Sequence, residues 1–412
     1  MVPPWRWWSA LTFCPPGTSP PTVASRARRR GGRPAGYRTF AVRVLVVNAG
    51  STSLKLRVVE PDDTISRRAD LEAPGPSTAA ALAEFVAGAG PLDAVGHRVV
   101  HGGGTFTSAV RVDDRVRRGL AATADLAPLH NPPALDALDR VSEVLAGVPA
   151  VACFDTSFHH DMPDEAAAYA LPAEWVARWG IRRFGFHGLN CEWVLSRAEN
   201  LLGRPAADLK LVVCHLGGGA SVTAVAGGRS VDTTMGFTPT EGLVMASRSG
   251  DVDPGALTWL LARGVTADEL SDGLERRSGI TGLTGGRTGD MRRVLELRSA
   301  GDAEAARAVA VYLHRLRAKV AGAAASMGGV DAVAFSGGVG ERSAVIRAEA
   351  CSGLAWMGVA LDPELNESAG DADADLSAAA SAVRVLRVAA REELVVAAHC
   401  RRVLAQSAEP RP

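Results

Sequence analysis

The chain has 412 residues, 47% hydrophobic and 22% charged, with acidic and basic groups in equal number. That length supports two or three domains and a sizeable core. The balanced charge gives no electrostatic footprint for nucleic acid or a membrane surface, and no apolar run is long enough to span a bilayer.

Residues 1–40 stand apart. They hold no Asp or Glu, seven arginines, and Trp5, Trp7 and Trp8. The apolar stretch from Trp7 to Cys14 is too short for the core of a signal peptide. Residues 1–41 are therefore expected to be a disordered extension, or to follow from an upstream start codon wrongly chosen. The six cysteines, Cys14, Cys153, Cys191, Cys214, Cys351 and Cys400, form no CxxC pair. Reduced thiols in a cytoplasmic protein are expected.

The first structured stretch reads strand, tight polar turn, strand. Val44 to Val47 is an apolar run, Gly50 allows a sharp turn, and Leu54, Leu56 and Val58 alternate with Lys55, Arg57 and Val59. A turn rich in hydroxyls and backbone N–H groups can hold phosphate, and equally can be a plain surface hairpin. From Glu60 to Pro91 the chain reads as polar, then helical from Ser77 to Ala87. A strand from Leu92 carries Arg98 into Gly102 to Gly104, and Leu126 to Pro133 reads as a rigid loop before a helix ending near Leu145. Val148 to Phe154 is a buried strand ending in Asp155. A carboxylate at a strand's C-terminal end is where α/β folds place ligand chemistry, and it is also a common helix cap.

The stretch Leu211 to Val225 echoes the first one. Three apolar residues lead to a polar residue, a glycine follows at the same offset, then a second strand; 167 residues separate Asn48 from His215. A weaker echo relates Asp93-Ala-Val to Asp331-Ala-Val, each running toward a double glycine. Two similar lobes around a shared cleft follow from this. Asp232 to Pro254 reads as a long cleft-lining loop and Ser278 to Arg292 as a glycine-dense segment feeding a helix N-terminus, a placement that suits an anion. Ala303 to Met327 is a long helix, Val330 to Arg342 is strand, glycine turn and helix, and Val383 to Val388 is a last strand before a terminal helix.

Six motifs, in order, resemble those of acetate kinases. They are Asn48-Ala-Gly-Ser-Thr-Ser-Leu-Lys55, Gly96-His-Arg98-Val-Val-His-Gly-Gly, Phe154-Asp155-Thr, Arg183-Phe-Gly-Phe-His187-Gly, Asp232-Thr-Thr-Met-Gly-Phe-Thr-Pro239 and Arg248-Ser-Gly-Asp. The resemblance covers nearly all of the chain beyond the extension. It implies two ribonuclease-H-like α/β lobes around a central cleft, the duplicated architecture of actin and sugar kinases. Residues 42–159, with a C-terminal helix at about 394–412, would form the first lobe. Residues 160–393 would form the second, with the nucleotide site and a homodimer interface.

The resemblance also implies a reaction, reversible transfer of the ATP γ-phosphoryl group to acetate. Propionate, butyrate or pyrophosphate-dependent chemistry on the same fold is the alternative, and a non-catalytic nucleotide-binding relative is less favoured. Arg98, Asp155, His187 and Arg248 would be catalytic. Arg98, Val100, Leu129, Phe186 and Pro239 would bind the short carboxylate. Ser51, Ser53, Lys55, the run His215, Leu216, Gly217, Gly218 and Gly219, the run Asp290, Met291 and Arg292, and the run Gly338, Val339, Gly340, Glu341 and Arg342 would hold ATP or ADP. Asn48 and Glu392 would hold Mg2+, with Mn2+ as an alternative.

The chain departs from the family at four points. Leu189-Asn190-Cys191 stands where the family usually shows Thr-Ser-His, and Gly217-Gly218-Gly219 where it shows Gly-Asn-Gly. Arg342 replaces an Asn, and Ala390-Arg391 replaces Thr-Asn. The segment between Glu60 and Leu92 is also shorter than usual.

Overall fold

The computed structural model describes residues 42–50, 53–72, 76–128 and 130–408. The extension, Ser51, Leu129 and residues 409–412 lie outside them, so the expectations placed there have no structural account.

Two mixed sheets dominate. The first contains β1 (Val44–Ala49), β2 (Ser53–Val59), β3 (Ile65–Glu72), β4 (Ala94–Val99), β5 (Val110–Arg111) and β6 (Ala150–Phe154), in the order β3-β2-β1-β4-β6-β5. The second contains β7 (Lys210–Leu216), β8 (Ala220–Ala226), β9 (Arg229–Thr233), β10 (Ala332–Ser336), β11 (Ala374–Asp375) and β12 (Arg384–Arg387), in the order β11-β12-β10-β7-β8-β9.

Read from its opposite edge, the second sheet repeats the first strand for strand. In both, a three-stranded antiparallel meander leads to two parallel strands and a short antiparallel edge. Even the register repeats. Val44 pairs with Ala94, and Leu211 pairs with Ala332. Asn48 pairs with Arg98, and His215 occupies the equivalent place opposite Ser336.

Helices cover both faces of each sheet. Pro76–Ala87 and Asn131–Val144 pack on one face of the first sheet, through Leu82, Phe85, Ala137 and Val141 against Leu45, Val47 and Val95. The C-terminal helix Glu392–Ala408 packs on the other, through Val395, Val396 and Cys400 against Val44, Val46 and Cys153. On the second sheet, Ala303–Ser326 covers one face and Gly188–Leu202 the other. The nearly all-apolar cores of β1, β7 and β10 follow from burial on both sides. Among the described residues no helix is long and apolar enough to cross a membrane.

Three expectations change. Glu60 to Pro91 holds strand β3, which the polar reading missed. β3 is an edge strand, half-buried at Ile65, Ala69 and Leu71; Arg67 lies on that same face over the Phe85 ring, while Arg68 and Asp70 lie on the other. Charge on an edge blunts further pairing, and it also weakens the alternation in the sequence. The loop from Leu126 ends sooner than expected, because Asn131-Pro132-Pro133 already forms the first helical turn, where proline costs no hydrogen bond. The Asp232 loop begins later, since Asp232 and Thr233 close β9.

Candidate active site

A cleft of about 1180 Å³ is lined from both sheets. One set of its residues sits at or just beyond the C-terminal ends of the central parallel strands: Asn48 on β1, Arg98 on β4, Asp155 after β6, His215 on β7, Gly337 and Gly338 after β10, and Ala390 to Glu392 after β12; Lys55 and Arg57 of β2 and Arg68 and Asp70 of β3 line it further out. The strand ends are the usual place for ligand sites in α/β sheets.

Arg98 is the centre of one wall. Its Nε and Nη2 reach the two Asp155 carboxylate oxygens at 2.9 and 2.5 Å, and Nη1 donates to Asn48 Oδ1 at 3.1 Å. Glu392, first residue of the C-terminal helix, lies 3.4 Å from Nε. Burial opposes charge on the guanidinium, yet the Asp155 and Glu392 carboxylates outweigh it and hold its pKa above the ordinary value. Burial lifts the Asp155 carboxyl while Arg98 pulls it back. The two-point contact keeps the pair ionised.

The opposite wall carries His187 and Arg248. His187 has a left-handed backbone (φ 59°) and caps the helix Gly188–Leu202. Its Nδ1 lies 2.9 Å from the Ser221 hydroxyl, and its ring stacks on His215 with centroids 4.0 Å apart. Burial, then the neighbouring His215 and the two arginines, pushes its pKa well below the usual imidazole value. His215 is pushed to about 4, chiefly by burial, so both rings are neutral near pH 7. Arg248 donates to the Pro239 carbonyl at 2.7 Å and has no ion-pair partner among the described residues. Burial lowers its pKa, with Glu275 opposing. A methyl group added at Gly219 would lie 3.3 Å from His187 Nε2 and 3.6 Å from Arg248 Nη2. Both donors therefore face the tip of the β7–β8 hairpin.

The loop carrying Pro239 is braced from outside. Glu241 accepts from Arg183 at 2.6 Å and from the Tyr169 hydroxyl, which itself accepts from Phe237 N at 3.0 Å. No motif in the sequence marked Tyr169.

Most expected residues meet in this cleft. Arg98, Asp155, His187 and Arg248 line it, as do Val100, Phe186 and Pro239 on its apolar side, and Asn48, Lys55, His215, Gly219, Gly338, Glu341, Arg342 and Glu392. Ser53, Leu216, Gly217, Gly218, Val339, Gly340, Asp290, Met291 and Arg292 are not among the lining residues. Leu216 and Met291 are core side chains. Asp290 caps the helix Met291–Ser299 and pairs with Arg292 at 2.8 Å, both turned to solvent. His130 also lines the cleft; burial, Arg248 and Arg98 push it to about 4.

The oxygens of Asn48, Asp155 and Glu392 converge on one cationic point, the Arg98 guanidinium. An amide oxygen and two carboxylates are hard donors of the kind a divalent cation takes.

A model of the acetokinase family matches residues 80–398. The chain is 46% identical over 316 residues to an acetate kinase of Synechococcus sp., covering 77% of this chain and 78% of that one. Among solved structures it is similar to an acetate kinase from Porphyromonas gingivalis, at 34% identity and a TM-score of 0.80 over 88% of this chain and 100% of that one. It is also similar to a propionate kinase from Francisella tularensis, at 31% identity and a TM-score of 0.81, with the same coverage.

Proposed function

The chain belongs to the acetokinase family, and on that footing we propose that it transfers the ATP γ-phosphoryl group to acetate, giving acetyl phosphate and ADP. The observation that carries this is the convergence of Arg98, Asp155, His187 and Arg248 on one cleft. Phosphoryl transfer asks for positioning and charge neutralisation more than for a covalent group. The acceptor is already an anion, so no general base is needed.

Each residue has a role in that scheme. Arg98, oriented by Asp155, holds the acetate carboxylate beside the small apolar patch of Val100, Phe186 and Pro239. Arg248 has no carboxylate partner among the described residues, which leaves its guanidinium for the migrating phosphoryl oxygens. In the tautomer whose Nδ1 accepts from the Ser221 hydroxyl, 2.9 Å away, the proton sits on Nε2, and this neutral imidazole would donate to an equatorial oxygen. Lys55, His215, Gly219, Gly338 and Arg342 flank the nucleotide. Mg2+, with Mn2+ as the alternative, would be held by Asn48 and Glu392 and would neutralise the phosphate chain. The five described cysteines are buried free thiols, in keeping with a cytoplasmic enzyme. A homodimer is supported by the helix Pro254–Leu261, which buries none of its residues.

The similarity to a propionate kinase favours a second reading, with propionate as the acceptor. One methylene in such a pocket discriminates by only about 1–3 kcal/mol. Trapping acyl phosphate as hydroxamate, with acetate, propionate and butyrate against ATP and pyrophosphate, tests all these readings. Acetyl hydroxamate formed fastest with ATP is expected. Product with no pair would leave only a nucleotide binder.

A further inference from the structure

Two arginines beside the turn Gly337–Arg342 are buried with no carboxylate partner among the described residues. Arg387, at the end of β12, is 2% exposed; Arg347, in the helix Ala344–Ser352, is 1% exposed. Every hydrogen bond they make goes to a neutral oxygen. Arg347 donates to the Asn366 side chain (2.7 Å) and carbonyl (3.0 Å) and to the Gly340 carbonyl (2.9 Å), and Arg387 to the Ala372 carbonyl (2.6 Å). They meet on one atom. The Glu341 carbonyl accepts from Arg347 Nη1 at 2.7 Å and from Arg387 Nε at 2.9 Å.

Glu341 then reaches across the cleft floor. Its carboxylate accepts from the Ala390 N–H at 2.9 Å. Two residues on, Glu392 contacts Arg98. A short path thus joins the glycine turn to the acceptor wall through Glu341 and the backbone of residues 390–392. Burying an unpaired guanidinium is costly, and an apolar side chain of similar volume often serves stability as well or better. Stability alone therefore gives no reason for Arg387.

We infer that Arg387 is a positioning residue: acting through Glu341, it fixes the turn Gly337–Arg342 against Ala390 to Glu392 and so sets the bound phosphoryl donor against Arg98. This rests on reading the cleft as a phosphoryl-donor site. Arg387 lines both the cleft and an adjoining pocket of about 340 Å³, so two uncompensated guanidinium groups also raise the positive potential where a phosphate chain would lie.

The test compares wild type, Arg387→Met and Arg387→Lys by calorimetric titration with ADP and by steady-state kinetics, with melting temperature as the fold control. Arg387→Met should weaken ADP binding and raise the ATP KM about 10-fold. The acetate KM and melting temperature should stay near wild type. Arg387→Lys should restore part of the loss, because one ammonium can reach one of the two carbonyls. Unchanged ADP binding in Arg387→Met would overturn the inference, as would equal rises in both KM values with a lower melting temperature. The titration needs no turnover. A wild-type chain that binds ADP yet makes no acyl phosphate would sink the kinase reading and leave the Arg387 comparison standing; one that binds no ADP overturns the inference.

Discussion

Arg98 and Arg248 carry the same charge into the cleft under different restraints. Arg98 is fixed by Asp155, Asn48 and Glu392, whereas Arg248 is anchored through one carbonyl. Removing Arg248 should therefore leave the fold intact and take away stabilisation of the transferring group. Arg248→Ala is expected to lower kcat about 100-fold or more, the size seen when one transition-state donor is lost. Near-normal turnover with an unchanged melting temperature would refute its role. A second expectation concerns pH. Burial pushes His97, His101, His130, His159 and His215 each to about 4, from an ordinary 6.5. Below pH 6.5 the unfolded chain takes up protons that the folded chain refuses, so stability should fall as pH drops from 6.5 toward 4. Melting temperatures at pH 7.5 and 5 read this directly; equal values would contradict it. At this scale Arg98, Asp155, His187 and Arg248 were legible because each lies in a short motif of chemically unusual composition, whereas Arg387, which also lines the cleft, lies in none. The second role of Glu341 was not legible either, since its partners Arg347, Arg387 and Ala390 are met only through the fold.

At the scale of elements, the C-terminal helix ties the cleft to the first sheet. Its first residue, Glu392, stands in the cleft, while Val396 and Cys400 pack flat on β4 at Gly96. A Cβ at Gly96 would come within 2.5 Å of Val396 and 2.7 Å of Cys400. Gly96→Val should push the helix off the sheet, lowering both melting temperature and activity by displacing Glu392. Retained activity at wild-type melting temperature would show the packing to be slack. Overpacking of this kind costs about 1–3 kcal/mol. Strands such as β1, β6 and β7 were legible as apolar runs. β3 was not, because its one half-buried face is interrupted by Arg67. The two-residue strands β5 and β11 carry no periodicity at all and exist only as edges to β6 and β12.

At the scale of the molecule, the duplication was legible in the spacing of Asn48 and His215, and the matched registers of β1–β4 and β7–β10 give its structural form. The chemistry of the two halves has diverged. The end of β4 offers Arg98 where the end of β10 offers Ser336, and Asp155 follows β6 where neutral residues follow β12. The expected dimer belongs here too. Trp259 is 53% exposed on a helix that buries nothing, beside half-exposed Val252 and Leu261. Sedimentation should give twice the chain mass, and Trp259→Glu should shift it toward the monomer; a monomeric wild type would contradict this. The most direct measurement on the whole is 31P NMR of the reaction of ATP with 18O-labelled acetate. The expected result is acyl phosphate whose phosphorus resonance carries the isotope shift of a bridging 18O, formed in step with ADP. An unshifted resonance, or consumption of ATP with no acyl phosphate, would contradict attack by the bound carboxylate on the γ-phosphorus.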